Sequence, residues 1–198
     1  MSSENPVYPV VTGQQIYFAT LRHEHLPLYV RWFSDLGMTA NLGAIGFAAT
    51  LEDEEAWYQQ ASKQNAERLT FAIHIKETHQ PIGNISLFEI NHRRQSAALG
   101  IMIGESNQRS KGYGTEAVRL IAEYGFFFLN LYNIKLWYYG YNARAGRAYE
   151  RAGFREVGRV RGAIPLGNQR YDEILMDIVR DDIDLSAMSM LVPGANHG

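Results

Sequence analysis

The chain has 198 residues, 46% of them hydrophobic and 20% charged, with a formal net charge of −2. Length and composition favour one globular domain with a sizeable core, and the near-neutral balance excludes a global basic field that would draw it to nucleic acid. The absence of cysteine excludes disulfides, thiolate metal sites and thiol nucleophiles, and fits a reducing, cytoplasmic setting.

In chain order, residues 1–14 are polar, with neither a basic start nor an apolar run. They read as a loose lead-in rather than a signal peptide. IYFATL (16–21) predicts a first strand, and HEHLPLYVRWFSD (23–35) a helix with Pro27 in its first turn. LGMTANLGAIGFAAT (36–50) reads as an irregular loop. LEDEEAWYQQASKQ (51–64) predicts a helix with Thr50 as N-cap and the acidic run 52–55 in its first turn, where carboxylates are favoured. LTFAIHI (69–75) alternates, placing Leu69, Phe71, Ile73 and Ile75 on one face. PIGNISLFEI (81–90) and SAALGIMIG (96–104) follow after short turns, which implies an antiparallel meander. Asn84-Ile85-Ser86 matches a glycosylation acceptor, read as chance without a secretion signal.

A polar, glycine-bearing loop then leads into a helix whose Val118, Ile121, Ala122, Gly125 and Leu129 share one face. The most apolar window, residues 124–132, is too short to span a bilayer. IKLWYYGY (134–141) predicts a strand. NARAGRAYERAGF (142–154) predicts a helix capped by Asn142, with Ala145, Ala148, Tyr149 and Ala152 on one face and Gly153 as a left-handed C-cap. Arg144, Arg147 and Arg151 fall on the opposite face, expected in solvent with one of them in reach of a phosphate. Residues 156–164 and 171–179 form a final hairpin turning at PLGNQR (165–170). The expectation is therefore an α+β domain over residues 15–180 with a mixed, mostly antiparallel sheet. Residues 1–14 and 181–198 are expected to be loosely ordered. Strand 96–104, helix 112–129 and strand 134–141 make a β-α-β unit with parallel strands.

The loop before residue 112 is where chemistry is expected. A helix N-terminus offers unpaired N–H groups and a partial positive charge, and glycine lets the backbone close on an anion. Arg109 and Lys111 add full charges, while Gly112 and Gly114 carry no obstructing side chain. A phosphate or pyrophosphate is the suitable ligand. The P-loop pattern is absent. GYGTEA (112–117) matches the dinucleotide fingerprint, but the next strand, ending WYYGY, lacks the acidic residue that reading needs. A nicotinamide-dependent oxidoreductase is thus the weakest alternative.

RSKGYG (109–114) after the strand, with the Asn142…Tyr149…Gly153-Phe154 pattern downstream, resembles the GNAT superfamily of N-acetyltransferases. The resemblance spans roughly residues 15–180, and FEINHRR (88–94) is similar to the spermidine enzymes within the ribosomal-protein-alanine and spermidine acetyltransferase branch. It implies the GNAT fold and acetyl-CoA as co-substrate. Ile101, Met102 and Ile103 would pair with the pantetheine arm. Gln108, Arg109, Ser110, Lys111, Gly112, Tyr113, Gly114 and Thr115 would hold the pyrophosphate, helped by Asn142 and Arg147. Tyr149 would be the general acid and Glu89 the base, with a water relay as the alternative. No metal is expected. The acceptor would be a small amine, a polyamine or a protein N-terminus, with no nucleic acid or membrane partner, and a homodimer is common in this branch. This chain lacks the acidic residue that spermidine enzymes carry entering the fourth strand, having RRQSAALGI there. A non-catalytic acyl-CoA sensor of the same fold is the second alternative.

Overall fold

The structure is a computed structural model that describes residues 6–43, 46 and 48–189. Eight strands form one sheet in the order β1-β2-β3-β4-β5-β6-β8-β7. They are β1 (Val11–Thr12), β2 (Ile16–Ala19), β3 (Leu69–Ile75), β4 (Pro81–Asn91), β5 (Ser96–Ile103), β6 (Asn133–Tyr139), β7 (Arg155–Leu166) and β8 (Gln169–Val179). The helices are α1 (Leu26–Phe33), α2 (Leu36–Thr39), α3 (Leu51–Ala61), α4 (Tyr113–Phe128), α5 (Ala143–Arg151) and α6 (Ser186–Ser189). Every neighbouring pair is antiparallel except β5 and β6, which run parallel on either side of α4.

Amphipathic patterning assigns the layers. On one face α4 presents Val118, Ile121, Ala122 and Phe126 to Phe71, Ile85, Leu87 and Ile134 in the main core. Fully burying side chains such as Ile121 and Phe126 stabilises by roughly 1.5–3 kcal/mol each. On the other face Leu26, Tyr29 and Trp32 of α1, Met38 of α2 and Met102 of β5 build a second cluster, with Trp57 and Tyr58 of α3 packed against it. β3 lies between the two layers, so all seven of its residues are buried, including Thr70 and His74. The alternation in its sequence marks one apolar face; the helices cover the other as well.

Local signals explain most boundaries. Thr50 and Asp53 form a reciprocal capping box at the start of α3, Asn142 caps α5 by accepting from the Ala145 N–H at 3.1 Å, and Gly153 ends it at φ 104°. Two expectations are corrected. Residues 36–39 are a helical turn, because the Asp35 side chain accepts from the N–H groups of Gly37 and Met38. The last hairpin turns over residues 167–168 instead of six residues, because Gly167 adopts φ 60°. The packed unit begins before residue 15, with Val11 and Thr12 paired to β2, and Met188 beyond residue 180 is buried. The outer parts of both expected loose termini, 1–5 and 190–198, lie outside the described residues.

The feature that creates the site is a splay. β5 and β6 pair only at Ser96↔Asn133, Ala97↔Ile134 and Ala98↔Lys135. β5 stays bonded to β4 as far as Ile103↔Gly83, and β6 to β8 as far as Tyr139↔Glu173. From Leu99 to Ile103 the edge of β5 facing β6 therefore has no strand partner.

Candidate active site

The splay opens into a pocket with a cavity volume of about 400 Å³. Its walls are the β5 edge at Ile101, Met102 and Ile103, and the loop and first turn of α4 at Gln108, Arg109, Ser110, Gly112, Gly114 and Thr115. One flank of α5 completes it with Asn142, Arg147 and Tyr149. These twelve expected site residues are gathered in one place although they come from three separate stretches of chain.

The loop is shaped to receive an anion. Ser110 and Gly112 both sit at positive φ, 62° and 94°, a backbone form that recurs in anion-binding concavities. A Cβ on Gly114 would meet only Ile103 Cγ1, at 3.7 Å, so protein packing does not require glycine there; close approach of a ligand would. Arg109 acts differently from a free clamp. Its Nε donates to the Ile103 carbonyl at 3.0 Å and its Nη2 to the Gly104 carbonyl at 3.0 Å, tying the loop to the end of β5. Burial, and then the neighbouring Arg144 charge, lower its pKa. Cations crowded around a half-buried pocket favour a polyanionic occupant.

Lys111 and Tyr113 do not line the pocket. Lys111 is exposed and donates to Gln108 Oε1 at 2.9 Å, while Tyr113 packs on the main core. The arginines of α5 need a correction in the other direction. Arg144, Arg147 and Arg151 all line the pocket, because the face expected in solvent faces the loop at the mouth of α4. Their i, i+3, i+7 spacing was the available signal. Sequence reasoning also missed Met38, Asn41 and Leu42 around α2, and Trp137 and Tyr138 at the splayed end of β6.

Tyr149 reaches the pocket from α5. Its ring packs against Tyr138 and Phe154, with centroids 5.9 and 6.4 Å away. Burial, and then Tyr138, push its phenol up to about 12, so the hydroxyl is neutral at physiological pH and able to donate. Gly146 permits this packing: a Cβ there would come within 2.7 Å of the Tyr138 hydroxyl.

Glu89 is displaced from its expected place. Strand alternation put it with Ile85 and Leu87 facing inward, but β4 bulges between Phe88 and Asn91 and Glu89 adopts φ 52°. The bulge turns its side chain outward, 61% exposed, to an ion pair with Lys135 at 3.6 Å. Glu105 is held by Arg31 and by the Trp32 indole N–H at 3.1 Å. Trp32 in turn covers Gly104, where a Cβ would lie 2.0 Å from the ring. No group of three or more potential ligands able to hold a metal occurs among the described residues. Nor is any described helix long and apolar enough to cross a membrane.

A mixed sheet splayed beside a glycine-bearing helix start, with a tyrosine on the following helix, defines an acyl-coenzyme A transferase architecture. Residues 15–155 match the acetyltransferase (GNAT) domain family, and the chain belongs to it as an N-acetyltransferase. The chain is 30% identical to the spermidine N(1)-acetyltransferase of Vibrio cholerae over 148 residues, covering 73% of this chain and 83% of that one. It is 29% identical to the uncharacterized N-acetyltransferase YnaD of Bacillus subtilis, over 67% of this chain and 76% of that protein. In three dimensions it is similar to a Vibrio cholerae spermidine N-acetyltransferase solved with CoA and spermine. That pair has a TM-score of 0.76 at 22% identity and covers 86% and 98% of the two chains. The microcin C7 self-immunity acetyltransferase MccE, solved with acetyl-CoA and AMP, gives a TM-score of 0.72 at 18% identity, covering 84% and 93%.

Proposed function

We propose that this enzyme transfers the acetyl group of acetyl-CoA to a primary amine by direct attack, with Tyr149 as proton donor to the leaving thiolate. The observation that carries the reading is the convergence of Tyr149, the unpartnered β5 edge and the positive-φ loop on one pocket. The edge of Ile101, Met102 and Ile103 would pair with pantetheine amides as a peptide adds to a sheet. The N–H groups from Ser110 to Thr115 would hold the pyrophosphate. Arg144, Arg147 and Arg151 would meet the coenzyme's phosphates, with Arg109 positioning the loop. Backbone N–H donors on the same β5 edge would stabilise the negative charge developing on the thioester oxygen.

Tyr149 donates its hydroxyl hydrogen to the departing sulfur. A thiol titrates near ~8.5, and the phenol near about 12. Donation therefore stabilises the thiolate as the C–S bond breaks, and net proton delivery completes as the tyrosine is reprotonated from solvent. A cationic acceptor suits the sheet face beyond β5. There Trp137 is exposed and Tyr139 stands directly opposite Glu173 in the ladder, combining aromatic faces with a carboxylate. The spermidine-acetylating relatives support a small amine or polyamine, and a protein N-terminus presents the same group.

Titration calorimetry with acetyl-CoA and thiol release across an amine panel test the reading. Tyr149→Phe should lower kcat at least tenfold while acetyl-CoA affinity stays within about twofold, since the lost interaction belongs to the transition state. Wild-type turnover in that variant would remove Tyr149 from the chemistry, and no coenzyme binding at millimolar concentration would sink the reading.

A further inference from the structure

The pocket passes through the splay, so it has walls on both faces of the sheet, and the two walls differ in charge. Its cations, Arg109 from the loop and Arg144, Arg147 and Arg151 from α5, stand around the mouth of α4. The wall on the opposite face is made by Met38, Asn41 and Leu42 from α2 and the residues after it, by Met102 from β5 and by Trp137 from β6. Strand alternation fixes these faces. Ile134 and Leu136 of β6 are buried in the main core beside α4, so Trp137 points the other way, as Met102 does between Ile101 and Ile103.

None of these five side chains is charged, and the Asn41 amide already donates to the Gly37 carbonyl at 2.8 Å. Among the described residues no carboxylate lines the pocket at all. The uncharged character extends along the chain: from Leu36 to Leu51 there is no Asp, Glu, Lys, Arg or His. The carboxylates around the pocket are engaged elsewhere. Asp35 accepts from the Gly37 N–H at 2.9 Å, and its second oxygen lies 4.0 Å from Arg109. Glu105 is held by Arg31 and Trp32. Glu89 pairs with Lys135 at 3.6 Å. That ammonium also lies 5.1 Å from the centroid of the Trp137 ring, so positive charge already occupies one side of the indole. Glu173, opposite Tyr139, stands outside the lining.

The two walls suit different substrates. Arginines around a glycine-bearing loop match the phosphates of the coenzyme. Thioethers, an isobutyl group and an indole match carbon: methionine adapts to the shape of an apolar group, and the indole adds a flat face. A polyamine brings further ammonium groups, each titrating near ~10. Taking those charges out of water with no carboxylate to meet them is costly.

We propose that the acceptor is an amine with a single positive charge and a bulky apolar group, and that Met38, Leu42, Met102 and Trp137 hold that group. This rests on the acetyl-transfer reading above and narrows its acceptor. The reacting nitrogen enters the splay while its carbon skeleton lies along the uncharged wall.

The experiment follows thiol release from acetyl-CoA with phenethylamine, ethylamine and spermidine. A single methylene in an apolar pocket is worth roughly tenfold or more in kcat/KM, so phenethylamine should exceed ethylamine by at least about 100-fold, and should exceed spermidine as well. Trp137→Ala should cut the phenethylamine-to-ethylamine ratio about tenfold. A ratio cancels the amount of folded enzyme and its coenzyme affinity, so a merely structural loss leaves it unmoved. Leu42 is 37% exposed, and a carboxylate there is accommodated by the fold. Leu42→Glu should shift the preference roughly tenfold from phenethylamine toward spermidine. Spermidine as the better wild-type substrate would overturn the proposal. So would equal kcat/KM for the two monoamines, or an unchanged ratio in Trp137→Ala. Those results leave acetyl transfer standing. Coenzyme binding without turnover on any amine would end the acetyl-transfer reading itself, and this acceptor class with it.

Discussion

The two faces of the sheet solve opposite electrostatic problems. Around the pocket the charge stays at the surface: Arg144, Arg147 and Arg151 are exposed and line it together with the loop at the mouth of α4. Beneath α1 and α3 titratable groups are taken inside: Glu54, His25 and His74 are buried, and burial, with the Arg22 guanidinium nearby, lowers both imidazoles. The first arrangement costs little, because water solvates exposed charges. The second carries a standing cost.

Stability against pH should expose that difference most strongly. Glu54 titrates ordinarily at 4.5 and is pushed up to about 7 in the fold. The folded state therefore keeps a proton that the unfolded chain has released, and stability falls as pH rises from 4.5 to 7. Each tenfold difference in proton affinity between the two states is worth about 1.4 kcal/mol, so the loss is on the order of 3 kcal/mol above pH 7. Glu54→Gln removes it. Urea unfolding should show the variant gaining stability over wild type from pH 5 to pH 8. A constant difference would show that Glu54 is ionised and solvated, and would erase the contrast between the two faces.

The backbone around the pocket was readable because its signals are local. Gly112 at a helix start, Asn142 as an N-cap and Gly153 at a C-cap each specify backbone conformation within a few residues, and Tyr149 follows from its spacing to Asn142. What escaped depends on how elements face one another. Strand alternation placed Glu89 inward, but a single bulge reversed it. The α5 arginines look like a solvated face until the helix is set beside the splay. The acidic run at residues 52–55 looks uniform, yet only Glu54 is buried within it. Glu54 shares a helical face with Trp57 and Ala61, at i, i+3 and i+7, and that periodicity could have singled it out. The left-handed Ser110 had no sequence signal of the kind glycine provides.

Gly114→Leu sharpens the comparison from the coenzyme side. With only Ile103 Cγ1 near the added carbon, at 3.7 Å, the protein alone has room. Leucine is also favoured over glycine in a helix by up to about 1 kcal/mol. The variant should keep or raise Tm while acetyl-CoA affinity falls, with a tenfold loss corresponding to about 1.4 kcal/mol. Affinity equal to wild type would mean that no ligand backbone approaches this turn. A lowered Tm would mean that glycine serves the fold here.

The smallest effect is the most selective. Thr50 Oγ1 accepts from the Asp53 N–H at 3.1 Å, and Asp53 Oδ2 accepts from the Thr50 N–H at 2.9 Å. These two bonds satisfy donors at the start of α3 and fix the turn that carries Glu54 inward. Thr50→Ala breaks the box and should cost about 1 kcal/mol of stability. Because α3 packs on α1 and contributes no lining residue to the pocket, acetyl-CoA affinity should not move. A frayed first turn lets water reach Glu54, so its carboxyl returns toward an ordinary value and the pH dependence of stability flattens. Urea unfolding from pH 5 to pH 8 decides the matter: a stability drop that leaves the pH dependence intact would show that the capping box serves the helix alone, and that the burial of Glu54 owes nothing to it.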